Sequence, residues 1–314
     1  MVEGRCSAAQ EKMIFFNFLI FPGFLFCTSC GLLASWFDRK LSARLQYRIG
    51  PPWYQNFVDI FKLAGKEIIV PANARATFLF APYIGCLSAV LVATVIGNNI
   101  FFQPSGFNGD LIVVIYLLLI PPVAAMLGAF ASRNPLASIG AGREMKLVLS
   151  YELPFLLAVI AMVIKSAGAI QFSAMIAQQA YFGSNIFSFS GFFSFIVVFI
   201  CIQAKMGLGL FDVSEADQEL MSGVAIEYSG LPLAALKLTK SVLLYSLPLM
   251  VIILFFGNNL NPFLVVVKYI AILTGIILIK NTNPRLAVDQ LLHFFWSVPL
   301  VFSLAAVVLA LIGF

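Results

Sequence analysis

Apolar residues along this chain do not alternate with polar ones; they run together. Eight apolar stretches, at residues 13–36, 76–97, 111–131, 147–170, 187–204, 239–257, 263–279 and 291–313, are separated by polar connections. Each comes close to the about 20 residues that a helix needs to cross the hydrocarbon core of a bilayer. A closed β-barrel would need in–out alternation, and these runs lack it. Five of the eight contain no Lys, Arg, Asp or Glu. The pattern predicts an all-α integral membrane protein with eight transmembrane helices, a single membrane domain over residues 1–314. On one side its connections fall at about 37–75, 132–146, 205–238 and 280–290.

Composition agrees. Hydrophobic residues make up 61 % of the 314 and charged residues 11 %, against about a quarter charged in a soluble domain. Mean hydropathy is +0.99. The net charge of +5 matters less than its placement. Fifteen of the nineteen Lys and Arg residues fall in or at the ends of the connections after stretches one, three, five and seven, whereas 98–110, 171–186 and 258–262 hold none. Basic loops stay on the cytoplasmic side. The prediction is therefore that these loops face the cytoplasm, of a prokaryotic inner membrane or a mitochondrial or organellar equivalent, and that both termini lie outside. The first apolar run has no small-residue cleavage site after it, so it reads as a retained helix. Glu152 and Lys165 lie in the fourth stretch and Lys268 in the seventh, the two lysines near enough to span ends to snorkel.

Several chemistries are disfavoured. Five cysteines, mostly in apolar runs, do not make a disulfide framework. Cys27 and Cys30 form a CxxC inside the first stretch with no second pair, and His293 is the only histidine. Iron–sulfur or haem ligation by this chain is therefore not expected. "GLGL" and "GAGRE" lack the strand–turn–helix setting of a phosphate loop.

The polar stretches carry the candidate chemistry. In "RIGPPWYQNFVDIFKLAGKE" (48–67), the prolines break any helix. From Phe57 the apolar positions 57, 60, 61 and 63 predict a short amphipathic helix along the membrane surface. Asp59, Lys62 and Lys66 would share one side of it. In "FDVSEADQEL" a helix would put Asp212, Glu215 and Glu219 on one face. Crowded carboxylates of this kind raise one another's proton affinity. Glu152, just before Pro154, is an intramembrane carboxylate that needs a partner or a water path. Simpler readings stand beside these: an anchoring helix, a solvated acidic face, a glutamate reaching water.

Together, "DRKLSARLQYRIGPP", "DIFKLAGKEIIVP", "GREMKLVLSYELPF" and "FDVSEADQELMSGVAIEYSG" resemble the membrane subunit of respiratory complex I that closes the quinone cavity (the subunit 1, or H, family). "PLASIGAGRE", "EADQELMSG" and the lysines of "LPLAALKLTKSVLLYS" lean toward membrane-bound group 4 [NiFe] hydrogenases and their sulfane-reductase and formate hydrogenlyase relatives. The resemblance implies that this chain docks a soluble redox arm and couples electron transfer to proton or sodium translocation. It implies a docking or cavity loop of Arg39, Arg44, Arg48, Gly50 and Pro51, with Asp59, Lys62, Lys66 and Glu67 beside it. It implies a proton path of Glu144, Glu152, Asp212, Glu215, Asp217, Glu219 and Glu227. Asp217 is shorter than the Glu usual there, and Gln218 replaces what is often an acid. Implied partners are [NiFe]-hydrogenase-like large and small subunits, an iron–sulfur subunit, antiporter-like membrane subunits and the lipid bilayer, but no nucleic acid. The [NiFe] and iron–sulfur clusters would sit in those partners; no cofactor would be bound here except, in a quinone-type member, a quinone. Three alternatives stand: the quinone-cavity subunit of an NADH- or ferredoxin-quinone oxidoreductase, a stand-alone secondary transporter, and a pure structural anchor, against which the intramembrane Glu152 counts. The second would usually show an inverted repeat, and the two halves show no convincing one.

Overall fold

The computed structural model describes residues 17–102, 107–215 and 217–313, with Asp217 and Gln218 by their backbone only. The side chain of Asp217 and the N-terminal tail, both part of the sequence reading, therefore lie outside the described residues. Among the described residues the regular elements are helical. They are α1 (Phe24–Leu45), α2 (Gln55–Ala64), α3 (Ala76–Phe101), α4 (Asp110–Ala131), α5 (Pro135–Lys165), α6 (Phe172–Phe182), α7 (Phe189–Lys205), α8 (Asp217–Leu220), α9 (Gly230–Phe256), α10 (Pro262–Thr282) and α11 (Val288–Ile312). Seven of these helices are long and apolar enough to cross a membrane; α7 is apolar but only 17 residues long. The chain is an integral membrane protein.

Several boundaries differ from those the hydrophobic runs suggest, because polar residues continue a helix as readily as apolar ones. α5 begins at Pro135, not near 147. Asn134 caps it by accepting from the Leu136 amide at 2.9 Å, and proline at the first helical position needs no donor there. Arg143, Glu144 and Lys146 are thus helical, and little of the connection at 132–146 is loop. α9 likewise starts at Gly230, ahead of Lys237 and Lys240. The connection at 171–186 contains α6, which no long apolar run announces.

The surface helix is present as α2, but it stops at Ala64 with Gly65 as its C-cap. Lys66 is therefore not on the face that carries Asp59 and Lys62. A larger correction concerns the acidic segment. Residues 212–219 do not form one helix: a 3-10 turn ends at Phe211, and α8 begins only at Asp217. Asp212, Glu215 and Glu219 therefore do not share a helical face; Asp212 and Glu215 come together through the fold of the loop instead.

α9 forms the centre of the bundle. Its apolar stretch is 89 % buried, against 22 % for α11 at the periphery, and every residue from Ser241 to Phe255 is buried. α1, α3, α6 and α10 pack around it, α4 packs on α3, and α5, α7 and α11 form a second group. In lipid the drive for helix association is close packing, and small residues permit it. Gly31 of α1 does so: a Cβ there would lie 2.6 Å from the Ser241 carbonyl oxygen of α9.

Candidate functional site

At one end of the bundle, α1, α2, the segment 206–215 and the first turns of α9 enclose a vestibule of about 440 Å³. Asp38, Arg39, Asp59, Asp212, Glu215, Lys237, Lys240 and Lys280 line it among apolar residues. Beneath it, between α4, α5, α7 and α9, lies a smaller cavity of about 80 Å³. That is room for several water molecules. Glu144, Lys205, Asp212, Ser214, Glu215 and Lys240 face it, together with Pro121 and Pro122 of α4. Asp212, Glu215 and Lys240 belong to both spaces and form the wall between them.

Most of the predicted carboxylates are paired. Glu215 accepts from Lys240, and Asp212 accepts from Arg285 at 2.8 Å. Glu219 pairs with Arg143 of α5, and Glu227 accepts from the amide of Asn134. Burial pushes the Asp212 carboxyl above the usual range for an aspartate, although Arg285 and Lys240 pull the other way. Glu152 does not face the cavity. Its carboxylate accepts a hydrogen bond from Lys205 at 2.7 Å, and the Lys205 side chain is only 3 % exposed. The ammonium also stands 4.8 Å from the centre of the Tyr151 ring and 4.4 Å from that of Phe155.

The predicted docking loop is only partly gathered here. Arg39 donates to Asn56 at 2.6 Å and to Asp59 at 3.3 Å, joining α1 to α2. Trp36 donates to the Pro51 carbonyl at 3.1 Å. Gly50 holds φ +74°, and a Cβ there would press on Lys40 and Ala43. Arg44, Arg48, Lys62, Lys66 and Glu67 are exposed and line neither space. The segment holding Lys66 and Glu67 docks by its backbone: the Ile69 amide donates to Ser229 at 2.8 Å.

Lys205, Lys240, Arg285 and the Asp38–Lys280 pair (2.8 Å) were not among the expected site residues. Lys205 carried a faint signal, being a lysine at the end of an apolar run, where its stem can lie along a helix while the ammonium reaches a partner. Arg285 and Lys280 carried none beyond their charge, since their partners lie far away in the chain. Among the described residues, no group of three or more His, Cys, Asp or Glu side chains is placed to hold a metal ion.

The fold and the site together define a polytopic helical membrane protein with a charged vestibule and an inner ionisable cavity at one end. The chain belongs to the NADH dehydrogenase family, whose model matches residues 18–311. It is 30 % identical over 284 residues to the H-type subunit of the NADH-quinone oxidoreductase of Jannaschia sp. (strain CCS1), covering 85 % of this chain and 82 % of that one. It is also 30 % identical over 333 residues to the counterpart in Bacillus cytotoxicus, covering 98 % and 97 %. Among solved structures it superposes on a chain of the membrane-bound sulfane sulfur reductase, an archaeal respiratory membrane complex. That match has a TM-score of 0.84 and 27 % identity, over 95 % of this chain and 99 % of the other. The protein is a membrane subunit of the complex I type.

Proposed function

We propose that this subunit docks a soluble redox arm over the vestibule and couples electron transfer there to ion movement through its carboxylates. In this reading the seven long apolar helices and the shorter α7 all span the bilayer, the vestibule faces the cytoplasm, both termini lie outside and residues 1–314 form one membrane domain. The basic connections support that orientation. The observation that carries the reading is the wall shared by Asp212, Glu215 and Lys240, which opens to a partner's side and also reaches Glu144 inside. A charge change above the vestibule acts on the same groups that line the inner cavity. Coupling of this kind needs an interaction that differs between two states, and ion pairs that can open supply one. Arg44, Arg48, Lys62, Lys66 and Glu67 would form the rim of the docking face, with Arg39, Gly50, Pro51 and Asp59 holding the loop beneath.

The redox partner fits the membrane-bound [NiFe] hydrogenase and sulfane reductase branch better than a quinone-reducing one. Cofactors then reside in partner subunits: [NiFe]-type large and small subunits and an iron–sulfur protein, with antiporter-like subunits alongside in the membrane. Small-molecule pockets are mostly apolar with a few polar groups. The vestibule is large enough for a ring but carries eight ionisable side chains, a poor fit to a neutral apolar quinone.

Two measurements test this. The detergent-solubilised complex should evolve hydrogen or reduce a sulfur compound, and fail to reduce quinone; quinone reduction blocked by cavity inhibitors would overturn the branch assignment. Glu215→Gln should lower the ions moved per electron by about tenfold while leaving the amount of assembled complex nearly unchanged. Failed assembly with normal pumping in the remainder would make the acidic segment structural.

A further inference from the structure

Among the described residues, Lys205 is the one Lys or Arg that is buried. A buried ammonium is costly unless it is paired and hydrogen-bonded, and Glu152 supplies the pair at 2.7 Å. Lys205 also lines the inner cavity, whereas Glu152 does not. The lysine therefore connects two carboxylate environments: Glu152 on one side and the cavity wall on the other. In that wall Glu215 is engaged by Lys240 and Asp212 by Arg285. Glu144 makes no ion pair within 4.0 Å among the described residues; Ser214 hydrogen-bonds to it and Lys240 lies nearby, so Glu144 is the carboxylate of this cavity not yet engaged by a cation. The rings of Tyr151 and Phe155 flank the ammonium, and cation–π contact offsets part of its lost hydration while it moves.

We propose that Lys205 is an exchangeable counter-ion that loads and unloads a proton at Glu152. When its ammonium turns from Glu152 toward Glu144, Glu152 is left as a largely buried, unpaired carboxylate, which binds a proton readily. One proton, supplied by a hydronium ion reaching the inner cavity, passes along the space that the Lys205 ammonium has vacated to a carboxylate oxygen of Glu152. When the ammonium returns, the carboxylate is again better off charged and one proton leaves. Lys205 stays protonated throughout, so charge and protons balance.

The charged and titratable groups around this pair are few. α5 offers Glu144 and Tyr151, α7 offers Cys201, segment 206–215 offers Asp212 and Glu215, and α9 offers Lys240. α11, packed on α5 and α7, places Phe295 against Tyr151. The trigger lies in the chain itself. Lys205 leads directly into segment 206–215, where Gly207 (φ +59°) and Gly209 (φ +56°) adopt left-handed conformations. That segment carries Asp212 and Glu215, so a charge arriving above the vestibule acts on the backbone that positions Lys205.

This proposal rests on the coupling role proposed above. Its test is Lys205→Gln in the whole complex, read by ions moved per electron and by infrared difference spectroscopy of carboxyl groups. The expected result is a fall of about tenfold in ions per electron. A protonated-carboxyl band should also appear, and it should vanish in Lys205→Gln/Glu152→Gln. Lys205→Arg should restore part of the coupling. Normal ions per electron in Lys205→Gln, with no new band, overturns the proposal. If the single variant does not assemble, the double variant, which leaves no unpaired charge, decides. Impaired pumping in the double variant supports the exchange, and normal pumping overturns it. A native complex that moves no ions would sink the coupling role itself, and the infrared band then decides the protonation step separately.

Discussion

Asp212 is a single carboxyl on which opposing forces act. Burial favours its protonated form; Arg285 at 2.8 Å and the nearby Lys240 favour its charged form, and burial prevails. A carboxyl whose proton affinity is raised by folding contributes its stability below the ordinary aspartate range and loses it as pH rises through the folded value. Removing Arg285 takes away one of the groups opposing burial. Arg285→Ala should therefore shift the Asp212 titration to higher pH, measured as a carboxyl band in pH-resolved infrared spectra against Asp212→Asn. A shift to lower pH would mean that the guanidinium does not act on this carboxyl. Tyr228, in the segment after the acidic cluster, shows a packing constraint instead. Its ring stacks on Phe78 with centroids 4.3 Å apart, and its hydroxyl donates to the Phe78 carbonyl at 3.0 Å. A Cβ on Gly128 of α4 would collide with that hydroxyl. Gly128→Ala should cost about 1–3 kcal/mol by overpacking, seen as a lower midpoint in thermal unfolding; Tyr228→Phe in the same background should recover part of it.

Helix ends buried in this bundle find partners in other elements. α9 stops at Phe256, and α6 holds that end: Gln179 donates to the carbonyls of Ile253 and Leu254 at 2.8 and 3.1 Å and accepts from the Gly257 amide at 2.7 Å. Lys268 of α10 donates to the carbonyls of Phe256 and Asn259, both at 2.8 Å. Lysine at a helix C-terminus satisfies orphan carbonyls and complements the helix dipole. Lys268 thus does more than reach for water. Gln179→Leu leaves several buried backbone groups without a partner and should destabilise the protein by about 1–3 kcal/mol, measured by denaturation in detergent. An unchanged midpoint would show that other groups hold this end. At the opposite end, Asn134 both caps α5 and donates to Glu227, so one side chain sets where a span begins and ties the acidic segment to it.

Across the bundle, the ionisable groups of the vestibule and inner cavity gather at one end. The other end is held mostly by uncharged groups: Gln179, Asn185 and backbone carbonyls, with the buried Asp110 and the half-buried Lys268 as charged exceptions. Asp110 accepts from Asn99 at 3.1 Å and from the Phe172 amide at 2.9 Å, anchoring α6. Such polarity suits a subunit that meets soluble partners on one face only. Cysteines introduced at Lys62 and at Asn259 should accordingly react with a membrane-impermeant maleimide from opposite sides of sealed vesicles. Labelling from the same side would overturn the proposed topology.

The all-helical membrane class and the approximate position of each long helix were legible in residue order alone, because a bilayer demands long apolar runs and this chain writes them without interruption. The gathering of basic residues on alternate connections was legible too, as a bias in composition along the chain, and it supports the proposed orientation. The acidic segment was visible as a cluster but misread as a helical face, since a periodicity argument assumes a helix that Gly209, Gly223 and the surrounding turns do not allow. The pairing of Glu152 with Lys205 joins residues 53 positions apart, and that of Asp38 with Lys280 spans 242. No local pattern encodes such partners. They follow from which helices α9 gathers around itself, and it is that packing that turns scattered charges into a vestibule, a shared wall and an inner cavity.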